Sequence, residues 1–175
     1  MTYQRQPESS DEDALWRQRA RQELIQALNP PLRAGGLIRL HSRYKYALMA
    51  YSPQLYKSSG RLLSQAGTLS PAELAEMAAV WQQALLTAFS QPATRANMTN
   101  ALMHMQGYFK RQLSPAEKQQ MSAAIEAYRT GTGSAEAAKH LLLTTARHYQ
   151  TDYLCDQAIL QPVVPAQSHS GRSSV

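Results

Sequence analysis

Residues 70–89 read SPAELAEMAAVWQQALLTAF, and their order decides the fold class. Ser70 supplies a hydroxyl at an N-cap, Pro71 fits the first helical position, and Glu73 completes a capping box three residues on. Leu74, Met77, Trp81, Leu85 and Phe89 then recur at threes and fours, which places them on one stripe of a helix facing a core. Working outward, Ser114-Pro115-Ala116-Glu117 repeats this start, Ser52-Pro53 offers a third, and Ser134 with Glu136 opens a fourth. The residues after the two SPAE starts differ, so there is no internal repeat. Pro30-Pro31 and Gly35-Gly36 break the chain after a first helix, Gly60 interrupts a later one, and Gly131 with Gly133 separates the last two. The pattern predicts helices over 11–28, 37–51, 53–66, 71–89, 94–112, 115–129 and 135–149, and no segment alternates like a strand. The expected fold is an all-α, single-domain bundle of about seven helices spanning 11–160, with a flexible segment at 1–10 and a disordered tail at 161–175.

The chain of 175 residues is long enough for one domain with a substantial core. It carries a net charge of +6 and a single cysteine, Cys155, which excludes an intramolecular disulfide and any cluster built from several thiolates. His41, His104, His140, His148 and Cys155 show no HxxxH or CxxC spacing, so neither a metal nor a cofactor is expected. The first residues lack the order of a secretory signal, and no apolar run approaches the length that spans a bilayer. The expectation is a soluble, cytoplasmic protein with no membrane partner.

The cations are unevenly placed. From Leu24 to Ala72 there is no Asp or Glu, yet Arg33, Arg39, Arg43, Lys45, Lys57 and Arg61 fall there, and a second acid-free run from Met77 to Ala116 adds Arg95, Lys110 and Arg111. Such a sustained positive field attracts polyanions. In the helix LIRLHSRYKYALMAY, Leu37, Leu40, Tyr44, Leu48 and Tyr51 form the apolar stripe, with His41 and Lys45 along one edge and Arg39 and Arg43 on the far side. Like charges four apart repel by a few tenths of a kcal/mol, so this helix needs acids from elsewhere, such as Glu73, Glu76 or Glu126, or an anionic ligand. In the helix from Thr94, Met98, Leu102, Met105 and Phe109 face the core. A turn of 100° per residue gathers Asn97, Asn100, His104, Tyr108 and Arg111 on another face that extends over about 21 Å. Gly107 beside that face leaves room for a ligand or a crossing backbone, at about 1 kcal/mol in helix propensity.

His41-Ser42-Arg43-Tyr44-Lys45, Met49-Ala50-Tyr51-Ser52-Pro53, Tyr56, Gly60 and then Asn100-Ala101-Leu102-Met103-His104-Met105-Gln106-Gly107-Tyr108-Phe109-Lys110 with Leu113-Ser114 resemble the YbgA family, a bacterial domain of unknown function. The resemblance covers roughly residues 37–128. In related proteins this domain follows a thiouracil-desulfidase domain that holds an iron–sulfur cluster, the pair is associated with removing sulfur from 4-thiouridine in tRNA, and the YbgA-like part is thought to hold the tRNA. With one cysteine this chain cannot carry the cluster. What the resemblance implies is RNA holding by Arg43, Lys45, Asn100, His104, Tyr108 and Lys110. Met98 stands where the family often has a histidine, and the family's proline-rich entry and basic-aromatic end of the last helix appear here as Ser134, Ala138, Thr144 and Thr145.

The expected function is RNA binding, with tRNA the expected class, by an accessory module without its own catalysis that works with a separate thiouridine desulfidase or a DNA-repair enzyme. Arg39, Arg43, Lys45, Lys110 and Arg111 are expected at phosphates, Asn100, His104 and Tyr108 at bases or ribose, and His41 and Asn97 on the same surface. Two alternatives remain open at this point. His41 and His104 can serve as acid and base on a nucleotide or phosphodiester without metal, or the basic face can dock an acidic protein. The sequence leaves the oligomeric state open.

Overall fold

The computed structural model describes residues 10–28 and 33–163. All four hydroxyl starts become helix caps. Ser70 Oγ accepts from the Glu73 N–H at 3.2 Å while Glu73 Oε2 accepts from the Ser70 N–H at 2.8 Å. Ser114 and Glu117 reproduce the reciprocal pair at 3.2 and 3.1 Å. Ser52 and Ser134 cap the backbone N–H groups of Leu55 and Ala137. These hydrogen bonds satisfy donors that a helix cannot pair internally, which is why the starts are local properties of the sequence.

The elements are α1 (Asp11–Ala27), α2 (Ala34–Tyr51), α3 (Pro53–Leu63), α4 (Pro71–Ala88), α5 (Arg95–Gln106), α6 (Pro115–Thr130), α7 (Ala135–His148) and a single turn α8 (Asp152–Cys155), with short 3-10 turns at Ala66–Thr68, Gly107–Phe109 and Ala158–Leu160. There is no strand among the described residues, and none of the helices is long and apolar enough to cross a membrane. The all-helical class is as expected, and α8 is an addition to the seven.

The α4 stripe is buried along its whole length, from Leu74 to Phe89, and so is the α5 stripe of Met98, Leu102, Met105 and Phe109. The centre of the bundle is α2. Besides Leu37, Tyr44 and Leu48, it buries Tyr46, Ala47, Met49 and Ala50, and it packs against α3, α4, α5 and the turn at Ala158–Leu160. The Gly35-Gly36 pair, expected as a break, forms the first turn of α2 instead. Gly131 closes α6 with φ +85, a left-handed residue that frees the N–H groups of Thr132 and Gly133 to reach the Ala127 carbonyl at 2.8 and 2.9 Å.

Of the tails expected at 1–10 and 161–175, residues 1–9 and 164–175 lie outside the described residues. Their inner margins are held. Ser10 caps α1 through the Asp13 N–H, and Gln161 Nε2 donates to the carbonyls of Cys155 and Gln157 at 2.7 and 3.0 Å. The fully buried Gln157 straps this C-terminal segment to α2, donating to the Ser42 carbonyl at 2.9 Å, while Trp16 Nε1 fixes it to α1 through the Ala158 carbonyl at 2.9 Å.

Candidate nucleic-acid interface

The sequence places α5 across 94–112 as one regular helix, but the α-helix ends at Gln106 and the chain tightens into a 3-10 turn at 107–109. A 3-10 turn advances each residue by about 120° rather than 100°, so the face from Asn97 to Arg111 does not continue. Asn100 and His104 keep the expected position. Tyr108 departs from it and stacks on Tyr153 of α8, with centroids 5.6 Å apart and planes 28° apart, and meets Tyr46 edge-on at 6.3 Å. Asn97 lies in the first turn of α5, its N–H capped by Thr94 Oγ1 at 3.2 Å.

What the turn creates is a cleft between the C-terminal end of α5 and the start of α6. Asn100, Met103, His104, Gly107 and Lys110 form one side, Lys118 and Ser122 the other, and Phe109 and Leu113 the apolar floor, around a volume of about 570 Å³. Gln106 Nε2 donates to Ser122 Oγ at 2.8 Å and ties the two helices across it. Among the described residues no carboxylate lines the cleft, and none forms an ion pair with Lys110 or Lys118. Gly107 opens onto it, and a Cβ built there would meet nothing within 4 Å. The glycine therefore does not accommodate a crossing helix. It leaves the cleft wall bare.

The other expected residues divide. Lys45 sits with its Nζ 5.5 Å from the centroid of the Tyr46 ring, at the edge of the tyrosine cluster that Tyr46, Tyr108 and Tyr153 build next to the cleft. Burial, and after it the neighbouring Tyr108, hold the Tyr46 phenol well above its ordinary pKa, so it stays protonated. Arg39 and Arg111 are exposed and have no ion pair among the described residues, but neither lines the cleft.

Arg43 and His41 are engaged within the fold. The Arg43 guanidinium is held by Glu23 of α1 at 2.7 Å and by the Asp156 carbonyl at 2.8 Å, so it locks three parts of the fold together. Of the acids weighed for it from the sequence, Glu73 is engaged in its capping box and Glu126 with Arg129, and Glu76 forms no ion pair with it. His41 turns inward. Its ring meets Trp81 of α4 at 6.2 Å, and its buried Nε2 and the Trp81 Nε1 have no hydrogen-bond partner among the described residues. Burial, and then Lys45, push the His41 pKa below its ordinary value, so it is neutral at pH 7 and contributes no cation. The cleft lined by His104 does not include His41, and the two histidines are not assembled there as an acid–base pair.

Lys118 and Ser122 were missed from the sequence. They stand four apart on α6, hence on one edge, and the Ser114 start fixes their register. Only the packing of α6 on α5 brings them to Asn100 and His104. Among the described residues no group of three or more His, Cys, Asp or Glu side chains is placed to hold a metal ion.

Comparison with known proteins bears on the whole of this region. The family described as "Protein of unknown function (DUF1722)" matches residues 45–163, which takes in the cleft, the tyrosine cluster and everything through α8. The chain is also 33% identical over 121 residues to the "Uncharacterized protein YbgA" of Escherichia coli (strain K12), covering 69% of this chain and 70% of that protein. No solved structure matches. The resemblance quoted from residues 37–128 thus extends to the C-terminal end of the helical bundle, and the chain belongs to the DUF1722 family of proteins of unknown function, together with YbgA.

Proposed function

We propose that this protein binds RNA, with tRNA the expected class, as a cytoplasmic accessory module that has no catalysis of its own and works beside a separate thiouridine desulfidase. The observation that carries this reading is the cleft between α5 and α6, where, among the described residues, no carboxylate enters the lining and two lysines without ion pairs flank an apolar floor. Ammonium groups on both sides of a cleft suit phosphates, and the floor of Phe109 and Leu113 suits the flat face of an unstacked base. Asn100 and His104 offer hydrogen bonds to base edges or ribose. Lys45, Arg39 and Arg111 extend the positive field beyond the cleft, whereas Arg43 is committed to Glu23.

A filter-binding titration with bulk tRNA at two salt concentrations tests this. Binding should be micromolar or tighter at low salt and weaken as salt rises. Each phosphate contact should contribute about 0.7–0.9 to the slope of log affinity against log salt. Affinity weaker than micromolar at low salt, or affinity indifferent to salt, refutes the reading.

Gly107 gives a sharper test of the location. Its φ of −58 is ordinary helical backbone, and a methyl group there meets no atom, so Gly107→Ala should raise stability by about 0.4–1 kcal/mol through the unfolded chain. The same methyl group narrows the cleft, and tRNA affinity should fall. A variant that gains stability and keeps full affinity places RNA binding elsewhere on the surface.

A further inference from the structure

Lys139 occupies the middle of α7, on the stripe of Ala135, Ala138, Leu142, Leu143 and Ala146, and is 8% exposed. A lysine on the buried stripe of an amphipathic helix normally finds a carboxylate. None among the described residues comes within 4.0 Å of its Nζ, and its amine lies over the face of Trp16, with Nζ 5.8 Å from the ring centroid.

The charged groups that face it are Glu136 and His140 from α7, Asp13 and Glu12 from α1, and Arg95 from α5. Asp13 is engaged by Arg17 at 2.8 Å and accepts the Tyr51 hydroxyl. Glu136 accepts from Ser10 Oγ at 2.8 Å. Both acids are thus occupied by other donors. Burial lowers the Lys139 pKa, against the pull of Glu136, Asp13 and Glu12.

The side chain also forms the wall between two cavities. One, of about 180 Å³, is lined by Asp13, Arg95 and Glu136. The other, of about 250 Å³, is lined by Trp16, Leu143, Ile159 and Leu160 with Glu136 and His140 at its polar side. The second is smaller than a drug-sized pocket, has apolar walls, and brings two proton-transferring groups to an amine.

We propose that Lys139 is a nucleophilic amine that forms an imine with a small aldehyde or ketone admitted to the larger of these two cavities. The nitrogen lone pair adds to the carbonyl carbon, the nitrogen gives up a proton, and the oxygen gains one to form a carbinolamine. Loss of that hydroxyl as water, with the second nitrogen proton, leaves one C=N bond in place of one C=O bond. Glu136 and His140 are the groups placed to carry these protons. No oxidant or metal enters the balance, and this site is independent of the cleft between α5 and α6.

The full chain treated with propanal and sodium cyanoborohydride at pH 7 tests this, since the hydride traps the imine as a secondary amine that peptide mass analysis can place. Lys139 is expected to be alkylated at least about tenfold faster than the exposed Lys57, a ratio worth about 1.4 kcal/mol in the barrier. This preference should vanish in urea. Lys139→Arg should lose the fast adduct and retain the slow ones. The comparison between two lysines of one wild-type molecule stands even where a variant does not fold. Alkylation of Lys139 at the rate of Lys57 or slower overturns the proposal.

Discussion

Replacing Lys110 and Lys118 together by glutamine is expected to weaken tRNA binding roughly 25- to 60-fold at about 0.1 M salt, and to lower the magnitude of the salt slope by about 1.4–1.8. The figure follows from counterion release alone, taking one phosphate per lysine. The two residues are exposed, Lys110 just past the 3-10 turn and Lys118 on α6, and have no ion pair among the described residues, so stability should move by no more than about 0.5 kcal/mol. Arg43→Gln makes the opposite expectation. It breaks a charge-assisted hydrogen bond to Glu23 and one to the Asp156 carbonyl, and should lower stability while leaving the affinity of the folded protein intact. Filter binding and urea denaturation on the same preparations separate the two. If the double lysine variant binds as the parent does, the cleft is not the RNA site.

The contrast between Lys110 and Arg43 shows where sequence reasoning reached and where it stopped. Helix starts are decided within four residues by a hydroxyl, a proline and a glutamate, and all four came out where the sequence put them. Stripes at threes and fours are equally local, so the inward faces of α4 and α5 were legible. The end of α5 was not. Gly107, with an ordinary negative φ, signals no stop, and the change from 100° to about 120° per residue that carries Tyr108 over to Tyr153 depends on partners in α8.

Charge is harder still to read from a chain, because its meaning depends on what lies across a packed interface. Glu23 precedes the first acid-free run by one residue, and only the packing of α1 beside α2 turns it from a neighbour in sequence into the partner of Arg43. Lys118 belongs to a helix that is unremarkable alone. Lys139 did leave a trace, a cation on the stripe Ala135, Ala138, Leu142, Leu143 and Ala146, but a single interruption of such a stripe does not say whether the side chain escapes to solvent or is enclosed. Here it is enclosed.

The same interplay sets the largest stability effect. Phe89→Ala is expected to cost about 3–5 kcal/mol, a fall in melting temperature of roughly 6–20 °C for a chain of this size. Phe89 is fully buried at the end of α4. It meets Trp16 of α1 edge-on at 5.3 Å, Tyr51 of α2 edge-on at 5.4 Å, and Tyr44 of α2 at 5.8 Å. Trp16 in turn stacks on Tyr51 at 5.1 Å. Three helices are therefore joined through one ring. The cavity left by its removal cannot easily close, because Trp16 is pinned by its hydrogen bond to the Ala158 carbonyl and Tyr51 by its hydroxyl on Asp13, and a site that does not collapse lies toward the upper end of the range. Val80→Ala, on the outer face of the same helix and 66% exposed, should change stability by no more than about 0.5 kcal/mol. Phe89 does not line the cleft, so tRNA affinity per folded molecule should be unaffected. Urea denaturation midpoints that move equally in the two variants would show that the aromatic joint between α1, α2 and α4 does not hold the bundle together.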